Sequence, residues 1–367
     1  MKYSIEQLVS PAISALNAYH VPFSQGFIKL DAMENPYSWP EEMKAACMQA
    51  LSSINVARYP SADCPELIEQ LRDVFSVPEE SAVLLGNGSD EIIQMLVMLL
   101  NKQFGSVLSV EPSFVMYRVI CECVGIPYYG VSLNEDFSLN IDLFLKEIED
   151  KKPALIFLAV PNNPTGNCFK KDDIRKIMDV APGLVVIDEA YSAFTESNYL
   201  PFLTEYPHLM VMRTLSKIGL AGLRLGWIAA SKPLISELNK VRLPYNINAY
   251  TQQAACFALD HFSILLKQTQ QIKVSRNILF SALTSLNSNV LTVFPSEANF
   301  LLVRTNKYDA TVIFNALKQH KILIKCLQGA HPLLSNCLRI TVGTEEQNQK
   351  LIEALSTIFF GINLYPK

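Results

Sequence analysis

The chain has 367 residues, half of them hydrophobic, and 31 Lys and Arg against 35 Asp and Glu give a net charge of −4. This length allows one large and one small domain, because single cores stop growing near about 250 to 300 residues. Without an extended basic run the chain is not suited to nucleic acid. Without a signal peptide or an apolar run of about 18 residues, we expect no membrane span and a cytoplasmic protein.

Short apolar runs alternate with helical patterns through most of the chain. Runs that are apolar on both faces are typical of buried parallel strands, and helices between them predict an α/β layered sheet. In chain order we predict helices at 41–54, 64–75 and 89–100, strands at 82–85, 106–110, 154–160, 184–187, 209–212 and 227–230, and a long helix at 250–287.

After residue 290 the pattern changes to that of a smaller α+β unit. Strands are predicted within 299–304, 321–325 and 338–343, with a helix near 309–320 and a final helix from about 344. We therefore expect a large α/β domain over 30–270, and a small domain formed by 1–29 together with 271–367.

The eight cysteines are scattered along the chain. The only tight pair is Cys121 and Cys123, in an apolar segment that we expect to be helical. This spacing fits neither a zinc site nor a disulfide scaffold, so we predict no metal and free, buried thiols.

The stretch "LLGNGSDEII" is the first place where a predicted strand ends near polar groups. In open α/β sheets, ligands bind beyond the carboxyl ends of the strands. Here Gly86, Asn87 and Gly88 lead into a helix that opens at Ser89 or Asp90, where backbone N–H groups and the helix dipole favour an anion. A simple helix N-cap is the alternative explanation.

Two further strand ends carry amides and a carboxylate. In "FLAVPNNPTGN", Asn162 and Asn163 offer amide groups, although a Pro- and Gly-rich turn explains part of the pattern. In "LVVIDEAYSAF", Asp188 follows four apolar residues and needs a partner, for which an arginine is one option. Tyr191 could present its phenol to the same space.

The fourth strand end, "TLSKIGLAGLR", supplies Thr214, Ser216, Lys217 and Arg224. Lys217 is enclosed by apolar residues, so it is either a solvated lysine or an amine in a pocket that disfavours its charge. Together the four strand ends would suit a ligand with a phosphate, a ring that binds a carboxylate and a carbon that reacts with an amine. Pyridoxal 5′-phosphate has all three.

These residues resemble, in order, the pyridoxal-phosphate-dependent aminotransferases of fold type I, and among them the histidinol-phosphate aminotransferase branch. The similarity extends from residue 29 to 344. The stretches that carry it are "KLDAMENPYSWP", "ARYPSADCPEL", "GNGSDEII", "EPSFVMY", "VPNNPTGN", "VIDEAYSAF", "RTLSKIGLAGLRLGW", "PYNIN", "EANFLLVR" and "LRITVGT".

The resemblance implies a role for each matching residue. Lys217 would bond to the cofactor and shuttle a proton, and Asp188 would hold the proton of the ring nitrogen. Asn163 and Tyr191 would bind the phenolic oxygen, and Phe114 would stack on the ring. The phosphate would be held by the remaining matching residues, Ser89, Asp90, Thr214, Ser216 and Arg224.

The same resemblance implies the partners. Tyr59 would reach the site of the partner subunit in a homodimer. Tyr19 and Arg339 would contact the substrate, and Arg339 would bind the carboxylate of glutamate. Lys325 would also lie at the substrate site, at a position where relatives often carry arginine. The implied reaction converts L-histidinol phosphate and 2-oxoglutarate into imidazole acetol phosphate and L-glutamate, in histidine biosynthesis.

Three alternatives remain open at this point. The chain could be an aromatic amino acid aminotransferase of the same fold, or a pyridoxal-phosphate-dependent decarboxylase of a phosphorylated amino acid. It could also be an aminotransferase-like ligand-binding domain of a transcription regulator. That reading requires a DNA-binding module, for which we expect no room before residue 29.

Overall fold

The computed structural model describes residues 3–16, 18, 21–286 and 289–364. The helices are α1 (Ile5–Leu8), α2 (Pro11–Ser14), α3 (Glu41–Leu51), α4 (Pro65–Phe75), α5 (Ser89–Leu99), α6 (Met116–Val124), α7 (Ile141–Lys151), α8 (Lys171–Val180), α9 (Lys232–Asn239), α10 (Ala249–Asp260), α11 (Phe262–Leu286), α12 (Ala310–Gln319) and α13 (Glu345–Leu364). The strands are β1 (Ile28–Lys29), β2 (Ser81–Gly86), β3 (Val107–Glu111), β4 (Tyr128–Ser132), β5 (Leu155–Ala159), β6 (Leu184–Asp188), β7 (Leu209–Thr214), β8 (Gly226–Ser231), β9 (Leu291–Val293), β10 (Phe300–Thr305), β11 (Ile322–Leu323), β12 (Lys325–Cys326) and β13 (Cys337–Thr341).

The larger sheet has the strand order β2-β8-β7-β6-β5-β3-β4. Its strands from β7 to β4 pair in parallel, whereas β8 runs antiparallel to both of its neighbours. Successive residues of β6 point to opposite faces, so Val186 packs in one hydrophobic cluster and Val185 and Ile187 pack in another. Both faces are therefore covered, which explains why these strands read as continuous apolar runs.

A smaller antiparallel sheet with the order β12-β13-β10-β9 forms around the C-terminal part of the chain. Its own hydrophobic cluster includes Leu30, Phe300 and Ile340 and the inner faces of α11, α12 and α13. The short strand β1 joins this part by pairing in parallel with β11. The mostly parallel large sheet and the smaller α+β unit confirm the predicted fold class, while the domain boundaries given above stay predictions.

Most of the predicted elements are confirmed, and the differences have local causes. The strand β4 was not predicted because Val131 is its only buried residue. The long helix expected at 250–287 is broken at His261, which stacks on Phe257 and whose ring nitrogen lies 2.8 Å from the carbonyl oxygen of that residue. All eight cysteines are free, but the expectation of burial holds for only five of them, since Cys123 is exposed and Cys168 and Cys326 are partly exposed. None of the helices in the described part of the chain is long and apolar enough to cross a membrane.

Candidate active site

A cleft opens at the carboxyl ends of the large sheet's parallel strands. The cleft is lined by Met33, Ser89, Asp90, Phe114, Ala159, Pro161, Asn163, Asp188, Ala190, Tyr191, Thr214, Ser216, Lys217 and Arg224. The four strand ends singled out in the sequence are thus brought together.

Lys217 lies in a short 3₁₀ turn directly after β7, partly exposed to the cleft. Its Nζ is 5.8 Å from the centre of the Tyr191 ring. Burial lowers the pKa of this amine to about 8, and the positive charges of Arg339 and Arg224 add to that effect. The neutral, nucleophilic form of this amine is therefore more accessible than that of a solvated lysine.

Asp188 ends β6 and is almost fully buried. Its Oδ2 accepts a hydrogen bond of 2.6 Å from the hydroxyl of Tyr117, and its Oδ1 accepts one of 3.0 Å from the backbone N–H of Ala190. Burial raises the pKa of this carboxyl to about 6, against these two hydrogen bonds, which lower it. Its two hydrogen-bond donors are thus neutral groups, whereas the nearby Arg213 binds the next residue, Glu189, at 2.6 Å.

The predicted anion site lies where α5 begins. Its N-cap is Gly88, with a φ of +86°, and a Cβ at this residue would lie 2.6 Å from Nη2 of Arg224. Arg224 itself lies 3.7 Å from the carboxylate of Asp90. The glycine is therefore required both by the backbone conformation and by the close approach of the guanidinium.

Two hydroxyls complete this end of the cleft. The Thr214 hydroxyl lies 3.0 Å from that of Ser216 and accepts a hydrogen bond of 3.1 Å from the Ser216 backbone N–H. These bonds fix the turn that precedes Lys217. Helix N–H groups, hydroxyls and a guanidinium on one wall form a surface complementary to a phosphate.

Asn162 and Asn163 differ in their contacts. Asn162 is fully buried and holds its own loop, donating to Pro112 O at 3.0 Å and to the Thr165 hydroxyl at 2.7 Å. Asn163 lines the cleft, and its Oδ1 accepts a hydrogen bond of 2.5 Å from Nη1 of Arg339. This bond orients the Asn163 amide so that its Nδ2 is the donor available to a ligand.

The residues predicted to contact substrate are brought together in part. Arg339 lies in β13 and also donates to the carbonyl of Asp31 at 3.1 Å. Lys325 is its direct cross-strand neighbour in β12, so both side chains leave the same face of the small sheet. Tyr59 lies at the surface rather than in the cleft, 81% exposed and stacked on Tyr245 with ring centres 4.6 Å apart. Tyr19 lies outside the described residues.

Two residues near the site, Tyr117 and Met33, were not among the predicted site residues. Tyr117 holds Asp188, and the available signal was its position in the matching stretch "EPSFVMY", three residues after Phe114 and at the start of α6. Met33 lines the cleft with a φ of +53°, a conformation that the sequence does not suggest for methionine.

These residues fit pyridoxal phosphate. The cleft has an amine with a lowered pKa, a buried carboxyl with a raised pKa, and an anion-binding wall. Such opposite shifts within one cleft are typical of acid and base pairs in enzymes. The individual roles that the resemblance implied for these residues stay predictions.

Comparisons with known proteins agree with this geometry. The chain matches the family described as aminotransferase class I and II over residues 25–355. The histidinol-phosphate aminotransferase of Chromobacterium violaceum is 46% identical over 359 residues, which cover 98% of this chain and 100% of that protein. Histidinol-phosphate aminotransferase 2 of Nitrosococcus oceani is 46% identical over 354 residues, covering 96% and 98%. Among solved structures, the histidinol-phosphate aminotransferase from Sinorhizobium meliloti, in complex with pyridoxal-5′-phosphate, has a TM-score of 0.85 at 21% identity and covers 99% of this chain and 100% of its own. At that identity the last comparison shows the fold alone.

Proposed function

The chain belongs to the class I and II aminotransferase family and, within it, to the histidinol-phosphate aminotransferases, and from this premise we propose that it transfers the amino group of L-histidinol phosphate to 2-oxoglutarate. The products are imidazole acetol phosphate and L-glutamate, and the reaction is a step of histidine biosynthesis. The observation that carries the proposal is the pairing, in one cleft, of the Lys217 amine with the Asp188 carboxyl, whose pKa values are shifted toward the middle of the pH scale.

Pyridoxal phosphate, when bound, supplies an aldehyde carbon and a conjugated ring that accepts an electron pair. Lys217 is partly neutral near pH 7, so its Nζ can act as the nucleophile and as the base that takes the proton of the donor's α-carbon. Asp188 would hold the proton of the ring nitrogen, and the Asn163 amide and the Tyr191 hydroxyl would donate to the phenolic oxygen. Phe114 covers one ring face.

The phosphate is proposed to bind at the start of α5, with hydroxyls and a guanidinium around it. The backbone N–H groups and side chains of the first turn face this wall, and the helix dipole favours negative charge there. The groups proposed to hold the phosphate are Ser89, Asp90, Thr214, Ser216 and Arg224.

Arg339 is proposed to bind the carboxylate of glutamate and 2-oxoglutarate. Asn163 and the Asp31 carbonyl hold two of its nitrogens, which orients the planar guanidinium for a two-point contact. Lys325, directly opposite on β12, adds a second positive charge on the same face of the sheet. Tyr19 stays a predicted substrate contact.

The test is an absorbance titration of the purified protein with L-histidinol phosphate and no oxo acid. Conversion of the bound cofactor from its aldehyde form to its amine form, followed by reversal with 2-oxoglutarate, would support the proposal. A yellow protein that converts only with phenylalanine or tyrosine would identify an aromatic aminotransferase. Release of CO₂ from a phosphorylated amino acid would identify a decarboxylase, and a protein that binds pyridoxal phosphate without any conversion would be a ligand-binding domain.

We also propose a homodimer in which Tyr59 contributes to the partner's site. In the single chain Tyr59 is 81% exposed and lies beside a groove with Val56, Tyr245 and Tyr250, which are also exposed apolar side chains. Such a patch is typical of an interface. Sedimentation should give a dimer, and an inactive Lys217→Ala chain mixed with a Tyr59→Phe chain should regain activity only if sites are shared. A cytoplasmic location stays a prediction, which cell fractionation would test.

A further inference from the structure

Tyr117 makes a short hydrogen bond to the carboxylate that is proposed to hold the cofactor ring. Its hydroxyl donates to Asp188 Oδ2 at 2.6 Å, while the Ala190 N–H donates to Oδ1 at 3.0 Å. Bonds from a hydroxyl to a carboxylate are charge-assisted and therefore strong. With one donor on each oxygen, the plane of the carboxylate is fixed.

Aromatic packing fixes the phenol in turn. Tyr117 lies at the start of α6 and is fully buried. Its ring stacks on Phe157 of β5 with centres 4.5 Å apart and planes 3° apart, and it meets Phe114 edge-on at 5.6 Å. The hydroxyl cannot turn away from Asp188 unless this cluster moves, so the bond is built into the core beneath the cleft.

The electrostatics of the pair explain why such a donor is needed. Burial disfavours the charged form of Asp188 and raises its pKa, and the nearby Asp90 adds to this. The Tyr117 hydroxyl, the Ala190 N–H and the charge of Lys217 act in the opposite direction. Because Tyr117 has a pKa raised well above its ordinary value, it remains a neutral donor at every physiological pH.

We propose that Tyr117 is a positioning residue that keeps Asp188 ionised and oriented toward the ring nitrogen of the cofactor. Tyr117 acts through Asp188 and belongs to the core of α6. The proposal rests on the proposed function, since only that function gives Asp188 a ring nitrogen to bind.

The experiment compares Tyr117→Phe with Tyr128→Phe, a matched control. Tyr128 is another largely buried tyrosine, but its ring lies under the Arg118 guanidinium at 4.7 Å, and the hydroxyl that donates to Asp188 is that of Tyr117. The dissociation constant of pyridoxal phosphate is measured between pH 5.5 and 8.5. Tyr117→Phe loses a hydrogen bond to a charged group, so it should bind pyridoxal phosphate about tenfold or more weakly. As the pH is lowered, its affinity should begin to fall about one pH unit higher than that of the wild-type protein. Tyr128→Phe should leave both unchanged.

A double-mutant cycle separates positioning from simple packing. Added to Asp188→Asn, which has no carboxylate to ionise, Tyr117→Phe should change affinity less than about twofold. An equal loss in both backgrounds, or a wild-type pH profile for Tyr117→Phe, would overturn the proposal. If Tyr117→Phe does not fold, Phe157→Leu, which loosens the stack, should shift the pH profile in the same direction, and no shift would overturn it. Failure of the wild-type protein to bind pyridoxal phosphate would instead overturn the proposed function.

Discussion

The surroundings of Lys217 disfavour its positive charge. Replacing this lysine with methionine measures how much the charge lowers the free energy of unfolding. Its pKa is lowered from 10.5 to about 8 in the folded chain, first by burial and then by Arg339. This pKa difference of about 2.5 corresponds to a loss of about 3 kcal/mol in the free energy of unfolding when the amine is charged in both the folded and the unfolded chain. Because the side chain is partly exposed to the cleft, this value is an upper bound.

The sign of the pH dependence follows from proton binding. Between about pH 8 and pH 10.5 the unfolded chain holds a proton on this amine that the folded chain has lost, so the stability of the wild-type protein rises with pH across that window. Methionine keeps the apolar stem of the side chain and removes the charge. The Lys217→Met apoprotein should therefore be more stable at pH 7 by about 1 to 3 kcal/mol, and by about a quarter of that at pH 10.

Urea unfolding of the cofactor-free protein at pH 7 and pH 10 measures both values. Lys176→Met is the control, since Lys176 pairs with Asp173 on the surface of α8 and its pKa is raised, so this variant should gain nothing. The Lys217→Met protein should also have no transaminase activity. A destabilised Lys217→Met protein, or a gain that does not change with pH, would refute a strained amine at this position.

Three further predictions address the carboxylate site, the anion wall and the core. Arg339→Gln should raise KM for glutamate and 2-oxoglutarate about tenfold to hundredfold, with little effect on L-histidinol phosphate, which has no carboxylate; equal losses in both half-reactions would contradict the assignment. Gly88→Ala places a Cβ 2.6 Å from Arg224 Nη2 at a φ of +86°, so the affinity for pyridoxal phosphate, measured by equilibrium titration, should fall about tenfold. An unchanged affinity would show that the Arg224 guanidinium does not bind the phosphate. Arg213→Met leaves Glu189 buried without its ion-pair partner, so the free energy of unfolding in urea should fall by about 3 to 5 kcal/mol, and a loss below about 1 kcal/mol would show that the pair is replaceable.

The sequence predicted the strand ends well because the signal there is local. An apolar run that stops at a polar residue marks the carboxyl end of a buried strand, and parallel pairing places these ends at one edge of the sheet. This is why the sequence alone places Asn163, Asp188 and Lys217 in one cleft. Arg339 comes from a different sheet, and its position next to Asn163 depends on how the two sheets pack.

Contacts that depend on packing had no signal in the sequence. Asn35 donates to the carbonyl of Ile218, directly after Lys217, and to Gln268 on α11, which lies more than two hundred residues away along the chain. The break at His261 likewise occurs without a glycine or proline. In both cases a side chain forms a hydrogen bond with a backbone or amide group, and the hydrophobic pattern of the sequence does not indicate such a bond.

The neighbouring acids Asp188 and Glu189 differ in the partners of their carboxylates, and this difference indicates which of them binds a ligand. Successive residues at the end of a strand face opposite sides of the sheet, so one fold gives these two carboxylates different surroundings. Glu189 receives the Arg213 guanidinium at 2.6 Å and the Tyr199 N–H at 2.6 Å, a closed arrangement that links two strands. Asp188 receives a phenol and a backbone N–H and faces the cleft, where a protonated ligand group would add a positive charge to that of Lys217. Of two adjacent buried acids, the one whose protein partners are neutral donors is therefore the one suited to bind a protonated ring.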